Sequence, residues 1–418
     1  MSNQVIQEMA VFVSCGISAL LIVLAAQDFL FRHLIRLNLR PFVLAFLILR
    51  LLAIVAIYGV YHFQHHGDLG PFSGYVQAVS QGKLAYVDYV IDYGVLFPHL
   101  LWLGTLGTGN IVLMVLFFTL CDCLAFVVGD RLLSRDRSSQ AITLYRILYV
   151  LCPLSWFIVV GFGQEEPILA LLGELTLFAS LASLDVWGGI LVGVALAVTK
   201  SMFGVYAYVA WLVSRRKVAF LAAAIVTTVL LHYAYVLRGV IPLPFREYHN
   251  SPPSVNIWTV LFPNPPGSAI SFWLFPVLLL AVVLCSLVYA HQQFKPKATL
   301  EGVSILILAN FLAFMLFSPK SLQPYRLVFI PFLFMYMASR IASQRSFVYL
   351  VALYSLSLSM HYTFWEDWVY QYGYFASIQG VLVYLMLCMA VAVEVFIFVD
   401  VLRRLISGMR GFTGRWAS

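Results

Sequence analysis

The sequence predicts an all-α polytopic membrane protein. Of its 418 residues, 62% are hydrophobic and 10% are charged, and the mean hydropathy is +0.93. Soluble globular proteins do not reach these values. Apolar runs of about 17–25 residues recur along the chain, each long enough to cross a bilayer core of about 30 Å, and the alternation typical of a membrane β-barrel is absent. We therefore expect one integral-membrane domain over residues 1–418, built as a bundle of about 11–13 transmembrane helices.

The apolar runs define the order of the predicted spans. They lie near 10–30, 41–61, 109–129, 141–161, 167–183, 187–199, 201–213, 218–237, 269–289, 299–317, 327–342, 346–361 and 378–400. The pieces 187–199 and 201–213 are short for a complete crossing, so they are either half-helices or one bent unit. Two long loops, 62–108 and 238–268, separate the spans.

Lysine and arginine residues set the predicted orientation. Most of the 25 basic residues fall in one alternate set of loops, which the positive-inside rule assigns to the cytoplasm. These residues are Arg32, Arg36, Arg40, Arg131, Arg135, Arg137, Arg215, Arg216, Lys217, Lys295, Lys297, Arg340, Arg345, Arg403, Arg404, Arg410 and Arg415. The N-terminus and both long loops are then extracytoplasmic and the C-terminus is cytoplasmic, in a multi-pass protein for which a bacterial inner or plasma membrane is favoured. The N-terminus has no basic region, so no cleavable signal peptide is expected.

Charge and cysteine patterns exclude several classes of function. The net charge of +7 is spread as short clusters between apolar runs, which does not indicate a nucleic-acid partner. The six cysteines all lie in apolar runs, where they behave as small hydrophobic residues, so neither disulfides nor structural zinc are indicated. His62, His65 and His66 match no metal-ligand spacing. We expect no cofactor, and the sequence does not indicate a divalent metal.

The first long loop holds the leading candidate for a catalytic residue. Asp68 follows the span 41–61 by a few residues, where a carboxylate is partly desolvated and its pKa is free to rise towards a value useful in a general base. Phe72 to Leu84 are predicted to form an amphipathic helix on the membrane surface. Asp88 and Asp92 would share a face if their segment were helical. For these two acids, a role in substrate binding and a place among solvated loop residues are both open.

A second extracytoplasmic turn carries adjacent acids. Gln164, Glu165 and Glu166 precede Pro167, a favoured first residue of a helix. The acids either complement the helix dipole or bind substrate. Glu174 lies about two turns further into the membrane, where acids are unusual.

Cations lie next to aromatic residues in three other extracytoplasmic segments. Each alone could anchor lipid headgroups, but together they favour a pocket for a phosphate and a sugar. They are Lys200, Arg246, Lys320 and Arg326. Near Arg246, His249 is a further candidate for substrate binding.

The order of these features resembles the GT-C superfamily of integral-membrane glycosyltransferases, which use polyprenyl-phosphate-linked sugars. The resemblance is nearest to bacterial phosphatidylinositol mannoside mannosyltransferases and to glycolipid-anchor mannosyltransferases. Four pieces between about 60 and 335 carry it. These are the loop with Asp68, Tyr75, Gly82, Tyr86, Tyr93, Gly94 and Pro98; the Gly-Gln-Glu-Glu-Pro turn at 163–167; the span ending in Thr199 and Lys200; and the Ser-Pro-Lys to Pro stretch at 318–331. The chain departs from the family pattern by having a whole span before the one that leads into the catalytic loop. It also lacks a histidine in the late stretch.

The resemblance implies a GT-C-like fold with the catalytic site in the loop 62–108, and Asp68 as the base of a direct inverting transfer. A hexose, mannose or glucose, would pass from a polyprenyl phosphate to a glycolipid or glycan acceptor of the cell envelope. Lys200, Arg246, Lys320 and Arg326 would hold the donor phosphate. Asp88, Asp92, Tyr93, Gln164, Glu165, Glu166 and His249 would contact substrate. The O-antigen-modifying glucosyltransferases have similar size and donors, and they are a second group that the sequence resembles.

Two other classes of protein compete with this interpretation. A transporter or flippase of lipid-linked glycans would need polar residues continued through the bundle. Only scattered ones occur within the predicted spans: Arg50, Asp122, Arg146, Glu174 and Glu394. A non-catalytic scaffold would leave the extracytoplasmic acids and cations without a role.

Overall fold

A computed structural model describes the chain over residues 3–60, 68–135, 138–238, 255–263, 269–294, 298–318, 321–369 and 373–409. Within these ranges it contains no β-strand, only an isolated bridge between Ala85 and Tyr89. Eight helical segments are long and apolar enough to cross a membrane: Leu39–Gly59, Ile111–Leu133, Ser139–Gly161, Lys217–Tyr235, Leu274–Gln293, Leu300–Phe317, Gln323–Ser343 and Ile378–Met409. The prediction of an all-α polytopic membrane protein is confirmed.

The helices follow one another with short connections. They are α1 Asn3–Ala25, α2 Asp28–Leu34, α3 Leu39–Ile54, α4 Leu69–Ser80, α5 Phe97–Gly104, α6 Ile111–Leu133, α7 Ser139–Leu151, α8 Pro153–Trp156, α9 Glu166–Leu181, α10 Asp185–Val198, α11 Gly204–Val213, α12 Lys217–Val236, α13 Ile257–Leu261, α14 Ala269–Gln293, α15 Leu300–Phe317, α16 Arg326–Ser343, α17 Phe347–Trp368 and α18 Ile378–Met409. Short π-helical turns, Val55–Val60 and Phe157–Gly161, extend α3 and α8, and short 3₁₀ turns, Ser201–Phe203 and Gln323–Tyr325, precede α11 and α16.

The helices agree with the predicted spans except at particular ends. The predicted span 10–30 is wrong at its end, because α1 stops at Ala25 and α2 begins at Asp28. The segments 187–199 and 201–213 form two separate helices, α10 and α11, of 14 and 10 residues. Both are counted among four shorter apolar helices, which are Val13–Ala25, Asp185–Val198, Gly204–Val213 and Phe347–His361. A total of about 11–13 membrane crossings stays a prediction.

The described helices group into two compact units, each made of separate stretches of the chain. The first unit comprises 1–47, 129–158 and 250–418. Its helix starts use side-chain caps, as helices do to satisfy their free N–H groups. Ser138 accepts a hydrogen bond from the Ala141 N–H, and Thr299 accepts one from Gly302. Helices α15 and α16 are buried over most of their length, and α15 packs against α14, α16 and α18.

The second unit comprises residues 48–128 and 159–249. In it α10 packs between α9 and α12, and α11 packs on α9. Gly189 makes the α10–α12 approach close, because a Cβ there would lie 2.2 Å from the Phe220 carbonyl oxygen. Buried Asp185 begins α10 and accepts hydrogen bonds from the Ser214 hydroxyl at 2.8 Å and the Arg216 N–H at 2.9 Å. All the described candidate residues of the first long loop and of the Gln-Glu-Glu turn belong to this second unit.

Candidate functional site

Helix α4 places Asp68 at the edge of the second unit. Leu69, Phe72 and Val76 recur at helical spacing and are buried, which explains why this segment folds as an amphipathic helix. The prediction of a helix over 72–84 is right in kind, but the helix runs from Leu69 to Ser80. It ends earlier because Gly82 adopts a positive φ of 73°. The Gly82 and Lys83 N–H groups then bond the carbonyls of Val79 and Ala78, the pattern of a Schellman cap.

A glycine joins this helix to the Gln-Glu-Glu turn. Gly163 has a φ of 57°, a conformation that side chains with a Cβ rarely adopt. A Cβ at Gly163 would lie 2.4 Å from Cδ1 of Leu69. The Leu69 side chain therefore fills the space left by the missing Cβ. Asp68 and Gln164, the neighbours of these two residues, meet through a side-chain hydrogen bond.

The segment after α4 is not helical, so Asp88 and Asp92 do not share a helix face. Asp88 is exposed and its carboxylate accepts the Leu84 N–H at 2.7 Å, which closes a local turn. Asp92 is also exposed, but it interacts electrostatically with Asp68 and Tyr75. Of the two acids, Asp92 therefore lies by the candidate site, and Asp88 has a structural contact of its own.

The same segment is fixed to the C-terminal end of α10. The last carbonyls of a helix have no partner within it. Here the Ala197 carbonyl accepts the Leu96 N–H at 2.7 Å and the Thr199 carbonyl accepts the Gly94 N–H at 3.1 Å. Gly94 is required at this contact, because a Cβ would lie 2.3 Å from the Ala197 backbone.

Lys200 follows directly and lies among carboxylates. Its ammonium lies 2.5 Å from Oε1 of Glu165, without hydrogen-bond geometry, and donates a hydrogen bond of 3.2 Å to Oε1 of Glu166. It also lies 4.7 Å from the centre of the Tyr93 ring, in a cation–π position. The other neighbour of Tyr93 is Phe97, stacked on it with ring centres 4.1 Å apart.

We call Asp68, Glu165, Glu166 and Lys200 the carboxyl–lysine cluster. Glu165 and Glu166 are fully buried, and Asp68 is half-buried. Glu165 occupies the N-cap position of α9, yet its side chain makes no capping hydrogen bond. Both glutamates contact Lys200 instead, so their side chains do more than complement the helix dipole.

The cluster raises the pKa of Asp68. Burial has the largest effect, and the neighbouring Glu165 adds to it. Lys200, and the hydrogen bond from Gln164, act in the opposite direction. A carboxylate whose pKa moves towards neutrality is a stronger base and keeps the geometry needed to accept a proton.

Two neighbours of Asp68 respond to the same environment. Burial raises the pKa of Glu166 to about 8, and Glu165 contributes while Lys200 opposes. Burial raises the pKa of Tyr75 to about 12, with further contributions from Asp92, Asp68 and Glu165. At neutral pH the Glu166 carboxyl therefore carries a proton in a large share of molecules.

The structure brings together most of the predicted site residues that it describes. Asp68, Asp92, Tyr93, Gln164, Glu165, Glu166 and Lys200 all belong to the cluster or touch it. Tyr75 is an addition that site prediction from the sequence missed. Its spacing of seven residues from Asp68, two helical turns, is a signal that could have identified it. His249, Arg246 and Lys320, together with His62, His65 and His66, lie outside the described residues, as does most of the loop 238–268.

Two residues predicted as phosphate ligands have different surroundings from those expected. Lys200 was expected to face a phosphate, and its ammonium is instead bound by two glutamates. Arg326 begins α16 in the first unit and is fully buried. Its guanidinium bonds both carboxylate oxygens of Glu394, at 2.8 and 2.9 Å, and donates to Ser321 and to the Val255 carbonyl. Arg326 thus has the environment of a structural ion pair.

Other polar groups of the described residues do not form a competing site. A cavity in the first unit is lined by Tyr336, Arg340 and Arg404, but Asp400 and Glu301 pair with these arginines. Among the described residues, no group of three or more His, Cys, Asp and Glu side chains is arranged to hold a metal ion.

Comparison with known proteins identifies no relative. No family model, no curated protein and no solved structure matches this chain. The resemblance to GT-C glycosyltransferases therefore rests on the sequence features given above.

Proposed function

We propose that this protein is an inverting glycosyltransferase that moves a hexose, mannose or glucose, from a polyprenyl phosphate to a glycolipid or glycan acceptor on the extracytoplasmic face. The observation that carries the proposal is the position of Asp68. It is half-buried at the start of α4, beside Glu165 and Lys200 and hydrogen-bonded by Gln164. This is an environment suited to a general base.

The proposed reaction is a single displacement. Asp68 accepts the proton of the acceptor hydroxyl while that oxygen forms a bond to the anomeric carbon. The bond from the anomeric carbon to the lipid phosphate breaks, and the phosphate leaves with the electron pair. Because attack and departure take place on opposite faces of the sugar, the configuration at the anomeric carbon inverts.

The pairing of Lys200 and Arg326 narrows the choice of phosphate ligands. Both cations are bound to carboxylates of this chain, which competes with a phosphate for their donors. Among the predicted phosphate ligands, Arg246 and Lys320 are therefore the ones we favour.

The test uses purified protein in lipid nanodiscs with polyprenyl-phosphate mannose, glucose and arabinose and a mixed glycolipid extract. Products are identified by mass spectrometry. We expect transfer from one hexose donor, with inversion at the anomeric carbon. Asp68→Asn keeps the shape of the side chain but removes the base, so turnover should fall by about 10²–10⁴-fold.

Asp88→Asn is the matched control, because Asp88 is an acid of the same loop whose carboxylate only closes a local turn. It should retain turnover within about twofold, as expected for an exposed loop residue. Near-normal transfer by Asp68→Asn would contradict the assignment of the base. Absence of transfer from every donor would contradict the proposed activity.

A second candidate function is transport of lipid-linked glycans, and a specific observation favours it. Ionisable side chains continue into the second unit away from the cluster: Arg50, Asp122 and Glu174 are all buried there, and Asp122 interacts electrostatically with Glu174. Buried ionisable residues in membrane spans often mark a transport path. Movement of a lipid-linked glycan across a vesicle membrane, unaffected by Asp68→Asn, would support transport over transfer.

A further inference from the structure

Several carboxylate oxygens of the second unit are buried with no hydrogen-bond donor among the described residues. They are Oε1 and Oε2 of Glu165 and Oε2 of Glu166 in the cluster, and both oxygens of Glu174 deeper in α9. Buried polar atoms are nearly always hydrogen-bonded in folded proteins, since an unpaired one costs free energy. In the cluster, these bare acceptors lie on both sides of the Lys200 contact.

The charges of the cluster select what could serve these acceptors. An anion would face the carboxyls of Asp68, Glu165 and Glu166, against a single ammonium that already touches both glutamates. A further cation would face that ammonium, which lies 2.5 and 3.2 Å from the glutamate oxygens. Since Coulomb interactions strengthen in a buried site, both kinds of charged ligand meet repulsion at short range.

A neutral ligand that brings donors avoids both repulsions. Hydroxyl groups donate to carboxylates in short, charge-assisted hydrogen bonds, and one carboxylate can accept several. Two adjacent hydroxyls on one ring match the two oxygens of one carboxylate in the way that a fork matches its partner.

We infer that the carboxyl–lysine cluster is a subsite for the hydroxyl groups of a sugar ring, with Glu165 as its main acceptor, and that the donor phosphate binds elsewhere. The inference rests on the proposed function, because it assigns one part of the proposed substrates to the cluster. Lys200 then has a positioning role: its ammonium holds the two glutamates against each other and fixes their oxygens towards the ligand. This assignment replaces the phosphate contact expected of Lys200 from the sequence.

The experiment measures binding without turnover. Full-length protein in nanodiscs is titrated with methyl mannoside and methyl glucoside, with sugar-free polyprenyl phosphate, and with inorganic phosphate, and binding is followed by saturation-transfer NMR. Glu165→Gln replaces one acceptor oxygen by an NH₂ donor and leaves the shape unchanged. We expect glycoside affinity to fall by about 10- to 100-fold, the range for lost hydrogen bonds to a charged group. Binding of sugar-free polyprenyl phosphate should stay within about twofold.

The control is Glu301→Gln, which alters an acid of the first unit that is paired with Arg404. It should leave the affinity for every ligand unchanged, and thermal unfolding of both variants confirms that they fold. The inference is overturned if Glu165→Gln weakens polyprenyl-phosphate binding as much as glycoside binding. It is also overturned if glycoside binding is unaffected, or if the wild type binds no methyl hexoside, since water then serves the bare oxygens.

These outcomes are separate from those that decide the proposed function. Glycoside binding that depends on Glu165, in a protein that transfers no sugar from any donor, would reject the transferase and keep the sugar subsite. Sugar transfer that depends on Asp68 but not on Glu165 would keep the transferase and reject the subsite.

Discussion

The carboxyl–lysine cluster of the second unit and the Arg326–Glu394 pair of the first unit are both buried and charged, but they differ in how far they are satisfied. At Arg326 one guanidinium meets one carboxylate through two bonds, and Tyr354, Ser321 and the Val255 carbonyl complete the network. In the cluster one ammonium meets several carboxyls, and three glutamate oxygens have no donor among the described residues.

The difference indicates different roles. A buried ion pair whose hydrogen bonds are all formed stabilises its position and has little left to offer a ligand. A buried cluster with excess acceptors is costly for the fold unless a ligand completes it, and such sites are where perturbed pKa values and function occur together. The Arg326 network therefore serves the fold, and the cluster is the better candidate for chemistry.

The largest expected effect is on the satisfied pair. Arg326→Met leaves the Glu394 carboxylate buried without its partner, so the free energy of unfolding should fall by about 3–5 kcal/mol. Lys200→Met should cost less, and its cost should shrink at acidic pH, because the cluster carboxyls can take up protons. Denaturant titration of the purified variants at pH 5.5 and pH 8 measures both. Equal, pH-independent losses would show that the two sites do not differ in this way.

The double variant Arg326→Met with Glu394→Met sharpens the same comparison. Replacing a whole buried pair by apolar residues is often close to neutral. We expect it to recover most of the stability lost in Arg326→Met. A double variant as unstable as the single one would mean that the charges themselves are needed there.

A smaller effect is expected at the contact that holds the loop beside the cluster. Gly94→Ala puts a Cβ 2.3 Å from the Ala197 backbone, so the loop must move and the free energy of unfolding should fall by about 1–3 kcal/mol. Turnover should fall too, because Tyr93 moves with the loop. Gly74→Ala is the control: its Cβ meets nothing within 4 Å on exposed helix α4, and alanine should stabilise that helix by about 0.5–1 kcal/mol. A Gly94→Ala variant as stable as Gly74→Ala would refute the close docking.

The smallest effect concerns pH. Burial raises the pKa of Glu166 from 4.5 to about 8, so between these values the folded protein holds a proton that the unfolded chain releases. This contribution to stability is complete below about pH 4.5 and is lost as pH rises through about 8. The midpoint of thermal unfolding should therefore decrease from pH 5 to pH 8.5, and Glu166→Gln, which cannot titrate, should flatten the decrease. An unchanged slope in the variant would assign the effect to other groups.

The sequence predicted the local parts of this structure well. The helical spacing of Leu69, Phe72 and Val76 predicts α4, and the apolar runs predict most other helices, because both depend on residues close in the chain. The predicted helix over Asp88 and Asp92 failed because turn contacts compete locally: the Asp88 carboxylate closes a turn with Leu84.

The pairing of charges was beyond sequence reasoning. Lys200 and Glu165 meet because α9 and α10 pack side by side, so the start of one helix lies by the end of the next. Arg326 and Glu394 are 68 residues apart, and their contact depends on how α16 and α18 pack. Spacing along the chain places cations and acids on one side of a membrane, but packing decides which of them meet.

The last turn of α10 has one further consequence, for how this region responds to movement. That turn holds the loop with Tyr93 through the Ala197 and Thr199 carbonyls, and the next residue is Lys200. A shift or tilt of α10 thus carries the aromatic ring and the ammonium along together. Their mutual spacing is inherited from a single anchor, so thermal motion of the helix displaces the pair as one body, and only a change within that turn can separate them.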